Sequence, residues 1–386
     1  MAKSYLSKNV SNLKPSGIRR FFEIAATMKE VISLGIGEPD FDSPEAIIHA
    51  GIQALQQNQT HYTSNRGLIP LREALCDHLE KLYAVKYDPK SEVVFTVGGS
   101  EALNIACAAI LDPGDEVILP TPCFVSYQGV ITLAGGVPVE IPSRMENQFL
   151  PDPEELERAI TKKTKAILIN FPCNPTGAIA DKETMIAIGN IAEKHDLVVI
   201  SDEIYDRLVY GEDHVCFPAL PGMRERTILI GGFSKDYAMT GWRIGFACAP
   251  EAIMRGVARV HQYIIMTAPT IAQYGALEAL TSCEPDVQRM AEEYDRRRKL
   301  IVQGLNYIGL PTFEPRGAFY AFPKVSVTGL DDNEFAERLL NEKHVAVVPG
   351  SAFGPGGEGF VRCSYATAFD QLEEALDRID QFVKSL

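Results

Sequence analysis

Lys235 lies in the run Gly231-Gly232-Phe233-Ser234-Lys235-Asp236-Tyr237-Ala238-Met239-Thr240-Gly241-Trp242-Arg243-Ile244-Gly245, directly after an apolar stretch, Thr227 to Ile230, that reads as a buried strand. A second cation, Arg243, follows between glycine-containing turns. Removing a lysine from water disfavours its charged form, so its pKa falls and the amine becomes a nucleophile towards a carbonyl, with a Schiff base as product. Arginine cannot be neutralised in this way, and its planar fork suits a phosphate. The two cations together point to an aldehyde cofactor carrying a phosphate. Taken alone, the segment also describes an exposed loop lysine beside an arginine held in a structural ion pair.

The elements around this segment offer further polar groups at the ends of apolar runs. Residues 93–97 read as a buried strand that Gly98-Gly99-Ser100-Glu101 turns into a helix from Ala102 to Leu111. A glycine turn at a helix N-terminus presents unpaired N–H groups and a favourable dipole to an anion, although such turns also occur with nothing bound. The strand at 165–171 runs into Pro172-Cys-Asn-Pro-Thr-Gly, a rigid loop that can aim Asn174 into a cleft at the C-terminal edge of a sheet. The apolar run from Leu197 ends in Ser201-Asp202, and an aspartate there is costly to bury unless it meets a cation. Near the C-terminus, Gly359-Phe-Val-Arg362-Cys-Ser-Tyr sets an arginine in apolar surroundings, where a structural ion pair is the competing account.

The lysine run resembles the lysine signature of the class I/II aminotransferases, members of the fold-type I group of pyridoxal 5'-phosphate (PLP) enzymes. The resemblance extends over essentially the whole chain and is to prokaryotic aromatic, aspartate or N-acetyl-diaminopimelate aminotransferases. It implies that Lys235 carries the cofactor aldehyde and that Ser234, Arg243, Gly99, Ser100 and Glu101 hold its phosphate, the last three mostly through backbone groups. Gly232 departs from the pattern, since some members place a phosphate-binding hydroxyl there. By the same resemblance Phe124 stacks on the pyridine ring, where core packing is the alternative. Asp202 pairs with the pyridinium N–H, and Tyr205 and Asn174 reach the ring oxygen. Asn174 also touches the substrate carboxylate, which Arg362 clamps in bidentate fashion, while Gly37 touches the substrate through its backbone. Tyr62 alone could pack on a domain edge, whereas the resemblance implies that its hydroxyl reaches the phosphate of the neighbouring subunit, so that the site requires a homodimer.

The fold implied is α/β: a large PLP domain, residues 43–284, with a mainly parallel sheet flanked by helices, and a smaller α/β domain of residues 1–42 and 285–386. Within it, apolar spacing predicts helices at about 18–28, from Ser43 as N-cap, over 182–194, along 250–282 and 287–308, and from about Asp370 to the end, with a short strand at 31–34. Arg296-Arg-Arg-Lys reads as a solvated face.

At 386 residues, 46% hydrophobic and 23% charged, the chain reads as a soluble protein large enough for two domains. A net charge of −14 argues against nucleic acid or an anionic membrane as partner. No apolar run reaches bilayer length or follows the first lysines as in a secretion signal, which predicts a cytoplasmic protein. The eight scattered cysteines read as reduced core residues, and the histidines lack metal-ligand spacing, so no metal is expected.

The activity implied is transfer of the amino group of an L-amino acid, aromatic or broad in range, to a 2-oxo acid such as 2-oxoglutarate. No arginine suggests itself as a second clamp for a side-chain carboxylate. Aspartate or N-acetyl-LL-diaminopimelate transamination stays open, as does β-elimination of the C–S lyase type. A PLP-sensing regulatory domain would join this fold to an N-terminal DNA-binding module, whereas here the enzyme-like pattern starts by about residue 18.

Overall fold

The computed structural model describes residues 5–13, 28 and 30–386. The helix expected at about 18–28 therefore lies, but for Met28, outside the described residues. Seven strands form the main sheet: β2 (Val93–Thr96), β3 (Glu116–Thr121), β4 (Val137–Pro142), β5 (Thr164–Asn170), β6 (Val198–Asp202), β7 (Thr227–Gly232) and β8 (Gly245–Cys248). Their order is β2-β8-β7-β6-β5-β3-β4, and all run parallel except β8, which is antiparallel to both neighbours. Such strands are covered on both faces, which is why β2 and β7 are buried at every residue and read as continuous apolar runs.

One consequence of the parallel block is that its C-terminal ends open on one edge. Asn170 and Asp202 terminate β5 and β6, Lys235 follows β7, the helix Gly98–Ile110 follows β2, and Phe124 follows β3. Open α/β sheets bind ligands along that edge.

A second, three-stranded sheet has the order β11 (Val348–Pro349), β12 (Val361–Ser364), β9 (Tyr320–Ala321), with antiparallel pairing throughout. The short strand β1 (Ile32–Ser33) pairs in parallel with β10 (Val345–Ala346), so the N-terminal segment joins the C-terminal third. Helices Glu284–Ile308 and Phe369–Val383 pack on this part around Tyr294, Ile301, Leu372, Ile379 and Phe382.

Three expectations change. The helical stretch 250–282 is two helices, Glu251–Ile264 and Thr270–Ser282, because Met266 takes a left-handed φ of 71° and Pro269 caps the second. Ser43 does not cap its helix: its Oγ donates to the Ala238 carbonyl at 2.7 Å and accepts from Trp242 Nε1 at 3.0 Å, tethering the lysine segment. Arg297 and Arg298 are buried rather than solvated. Arg297 bridges Asp40 at 2.7 Å and Glu293 at 2.9 Å, and Arg298 bridges Asp295 at 2.7 Å and Glu314 at 2.8 Å. All eight cysteines are buried and free.

Candidate active site

A cavity of about 980 Å³ opens at the C-terminal edge of the main sheet, and Lys235, Arg243 and Arg362 all line it. The Lys235 amine donates to the Gly37 carbonyl at 2.6 Å and lies 6.0 and 5.8 Å from the ring centres of Tyr205 and Phe319. Burial, reinforced by the Arg362 and Arg243 charges and opposed by Glu38 and Asp236, lowers its pKa to about 8. A usable fraction of free amine is thus present near neutrality.

Across the floor, the Asp202 carboxylate accepts from the Tyr127 hydroxyl at 2.8 Å and from the Ile204 amide at 3.2 Å. Burial raises its pKa to about 6, although both hydrogen bonds pull the other way. Asn170 fastens this corner by donating to the Asp202 carbonyl at 2.9 Å while its own Oδ1 accepts the Asn174 amide at 3.1 Å. At the opposite wall the Arg362 guanidinium donates to Asn174 Oδ1 at 2.9 Å and to the Gly35 carbonyl at 2.6 Å, and its buried Nε has no partner. That guanidinium lies 4.6 Å from the centre of the Tyr320 ring and 5.0 Å from that of Phe353. The Tyr205 and Tyr320 hydroxyls are 2.7 Å apart.

The third corner is a cup built on the first turn of Gly98–Ile110. Gly98 has φ 72°, and a β-carbon there would meet the Arg243 guanidinium at 2.8 Å, so only glycine lets the arginine lie against the helix N-terminus. Gly99, Ser100 and Ser234 complete the cup, and Phe124 forms an adjacent wall, edge-on to Tyr127. At Gly232 a β-carbon would strike Ile204 at 2.7 Å, so Ile204 occupies the space that a hydroxyl side chain would need.

Two of the sequence-predicted residues are not on the cavity wall. Glu101 turns its carboxylate away, accepting the Val97 amide at 2.5 Å and pairing with buried His261 at 2.6 Å, which leaves only its backbone near the cup. Tyr62 is 78% exposed, on a loop fixed by Thr63 to Thr267 and by Asn65 to the Met266 carbonyl. Conversely, Tyr127, Asn170 and Tyr320 belong to the site and were not singled out from the sequence.

A buried amine of lowered pKa, a buried carboxylate with no ion-pair partner among the described residues, and a glycine-walled cup backed by an arginine are features that the site of a fold-type I PLP-dependent transferase requires. Residues 29–379 match the family model of aminotransferase class I and II, and the chain belongs to that family. It is 50% identical to a putative aminotransferase, YugH, of Bacillus subtilis over 98% of each chain. An aspartate aminotransferase of Pyrococcus abyssi is 48% identical, again over 98% of each. The crystal structure of an aromatic aminotransferase from Pyrococcus horikoshii superposes with TM-score 0.91 at 46% identity, covering 95% of this chain and 99% of that one. The protein is accordingly a PLP-dependent aminotransferase acting on an amino acid and a 2-oxo acid, and its site fits the cofactor: Asp202 offers a buried carboxylate with no ion-pair partner among the described residues, and Gly98 with Arg243 a cup suited to an anion.

The lysine pKa has a measurable consequence. Only the neutral amine can capture an aldehyde, so if Lys235 takes up PLP, the rate at which cofactor-free protein does so is expected to rise with pH with a midpoint at about 8. Stopped-flow absorbance between pH 6 and pH 10 checks this, and a midpoint near the ordinary lysine value of 10.5 would contradict it.

Proposed function

We propose that the protein takes the amino group from a neutral L-amino acid, aromatic or broad in range, and passes it to a 2-oxo acid. The observation that carries this reading is the charge inventory of the cavity. Among the described residues its cations are Lys235, Arg243 and Arg362, each with a task of its own, whereas Glu30 and Glu38 add negative charge to the wall. A side-chain carboxylate therefore meets no free described cation, while Ile36, Leu103 and Phe124 offer apolar contact.

In this reading Arg243, Ser234, Gly99, Ser100 and the backbone at Glu101 hold the cofactor phosphate, and Phe124 packs on its ring. Asp202 holds a proton on the ring nitrogen, and Tyr205 with Asn174 faces the ring oxygen. Bound PLP supplies the electron sink that makes loss of the substrate Cα proton feasible. Arg362 receives the α-carboxylate, exchanging its bonds to Asn174 and Gly35 for a charge-assisted pair, and Gly37 borders the same subsite. That pair would orient the Cα–H towards Lys235 Nζ, the group placed to take up and return the Cα proton.

The reading extends to the assembly. Residues 43–284 form a large unit and 1–42 with 285–386 a smaller one that closes on it, excluding water. A homodimer brings Tyr62 to the partner's phosphate cup; its exposure and that of the nearby Tyr263 and Met266 support this. Cytoplasmic location is part of the same proposal, supported by the lack of any described helix long and apolar enough to cross a membrane.

The test is the visible spectrum of the holoenzyme as single L-amino acids are added without an oxo acid. Aromatic donors are expected to convert the cofactor to its pyridoxamine form about 10-fold or more faster than aspartate, the ratio that ~1.4 kcal/mol of unpaired charge produces. Aspartate ranking first would overturn the substrate reading, and pyruvate release without the pyridoxamine form would indicate β-elimination. 2-Oxoglutarate, the acceptor by family analogy, brings a second carboxylate that meets the same shortage, so the return half-reaction ranks it against phenylpyruvate.

A further inference from the structure

We infer that Tyr320 is a positioning residue that joins the carboxylate clamp to the phenol at the cofactor ring oxygen. Its ring forms the floor under Arg362, and its hydroxyl holds Tyr205 with the Tyr205 proton aimed into the cavity. The inference rests on the assignment of Tyr205 to the ring oxygen.

The backbone sets the first half of this arrangement. In the antiparallel pair of β9 and β12, Tyr320 lies opposite Ser364, so Arg362, two residues earlier, is its diagonal neighbour on the same face. Guanidinium and ring meet at 4.6 Å, a cation–π contact that is stronger for being buried. It fixes the plane of the clamp without occupying a donor.

The second half crosses between sheets. Tyr320 belongs to the three-stranded sheet, whereas Tyr205 follows β6 of the main sheet, and their hydroxyls meet at 2.7 Å with both side chains buried. A pair of phenols holds two protons, and one donates to the other. If Tyr205 is to donate to the ring oxygen, its own oxygen must accept from Tyr320. Hydrogen bonds in series polarise one another, so the Tyr320 donor makes Tyr205 a stronger one. Nearby packing keeps the Tyr320 hydroxyl in place: a β-carbon at Gly37 would collide with it, so the glycine backbone lies directly against that oxygen.

With PLP held by Lys235, Tyr205 would compete at the ring oxygen with the proton residing near Lys235 Nζ. Weakening the competitor raises the pH at which that proton leaves, which is read from the visible absorption of the bound cofactor. A residue that merely filled space would leave that midpoint where it is.

The experiment titrates the visible absorption of four holoenzymes: wild type, Tyr320→Phe, Tyr205→Phe and the double variant. Tyr205→Phe is expected to raise the midpoint by about 1 pH unit or more and Tyr320→Phe by roughly 10–30% of that shift, the fraction that cooperative strengthening supplies. The double variant matches Tyr205→Phe alone, because Tyr320 acts through Tyr205. Tyr320→Phe keeps the ring under Arg362, so the KM for the amino acid stays within about 2-fold while kcat falls; Tyr320→Leu raises KM as well. An unchanged or lowered midpoint in Tyr320→Phe, with Tyr205→Phe raised, overturns the inference alone. An unchanged midpoint in Tyr205→Phe overturns the assignment of Tyr205 and this inference with it.

Discussion

Replacing Lys235 by alanine is expected to abolish steady-state transamination, with a loss in kcat of at least ~10⁴-fold, because in the proposed reading one amine both captures the cofactor aldehyde and carries the Cα proton. The effect is confined to chemistry. Among the described residues the amine's one hydrogen bond is to the Gly37 carbonyl, and the desolvation that brings its pKa down to about 8 is itself unfavourable to folding. Losing that bond costs about 1 kcal/mol, offset by removal of a charge held near two arginines. The variant is therefore expected to fold and to retain PLP non-covalently in the cup of Arg243, Ser234 and the Gly98–Ile110 N-terminus. Absorbance after gel filtration measures that retention, and an assay with an aromatic donor measures turnover. Near-normal turnover in pure Lys235→Ala would remove the basis of the assignment.

The chemistry of this site is more legible in the sequence than its geometry. Lys235, Arg243, Asp202 and Arg362 are charged residues in apolar or glycine-rich surroundings, and burial of charge demands a partner wherever it occurs. That demand is visible without coordinates. Tyr127, Asn170 and Tyr320 carry no such signal, because a tyrosine or asparagine in an apolar run satisfies itself with one hydrogen bond. They enter the site only through sheet register and the path of the loops after β3 and β5. Ser43 fails in the opposite sense: local grammar makes it a cap, but the Trp242 indole and the Ala238 carbonyl claim its hydroxyl. At Glu101 the expectation concerned mostly the backbone, and the carboxylate serves the Val97 amide and His261. Arg297 and Arg298 look solvated in a run of four basic residues until Asp40 and Glu314, remote in sequence or beyond the helix, are brought against them.

Asp202→Asn separates what this aspartate does for catalysis from what it does to the fold. In the cofactor-free protein its pKa stands near 6 against an ordinary 3.8, raised by burial. The folded state then binds more protons than the unfolded state between those values, so stability falls as pH rises from about 4 to about 6. At pH 7 the charged carboxylate costs on the order of 3 kcal/mol. Asparagine removes that cost but serves only one of the two donors, Tyr127 and Ile204, with its single oxygen, which returns about 1 kcal/mol. Cofactor-free Asp202→Asn should therefore melt at or above wild type at pH 7, and its stability should lack the decline between pH 4 and pH 6. If Asp202 holds the ring nitrogen as proposed, turnover should move the other way, falling on the order of 10³-fold or more, since a neutral amide would not keep that nitrogen protonated and the electron sink would lose about 4 kcal/mol of its pull. Calorimetry of the cofactor-free protein across that pH range, alongside holoenzyme kinetics, distinguishes the two effects. A variant that is less stable at pH 7 and unchanged in rate would mean that Asp202 is a structural carboxylate, with its charge compensated by Tyr127 and the Ile204 amide alone.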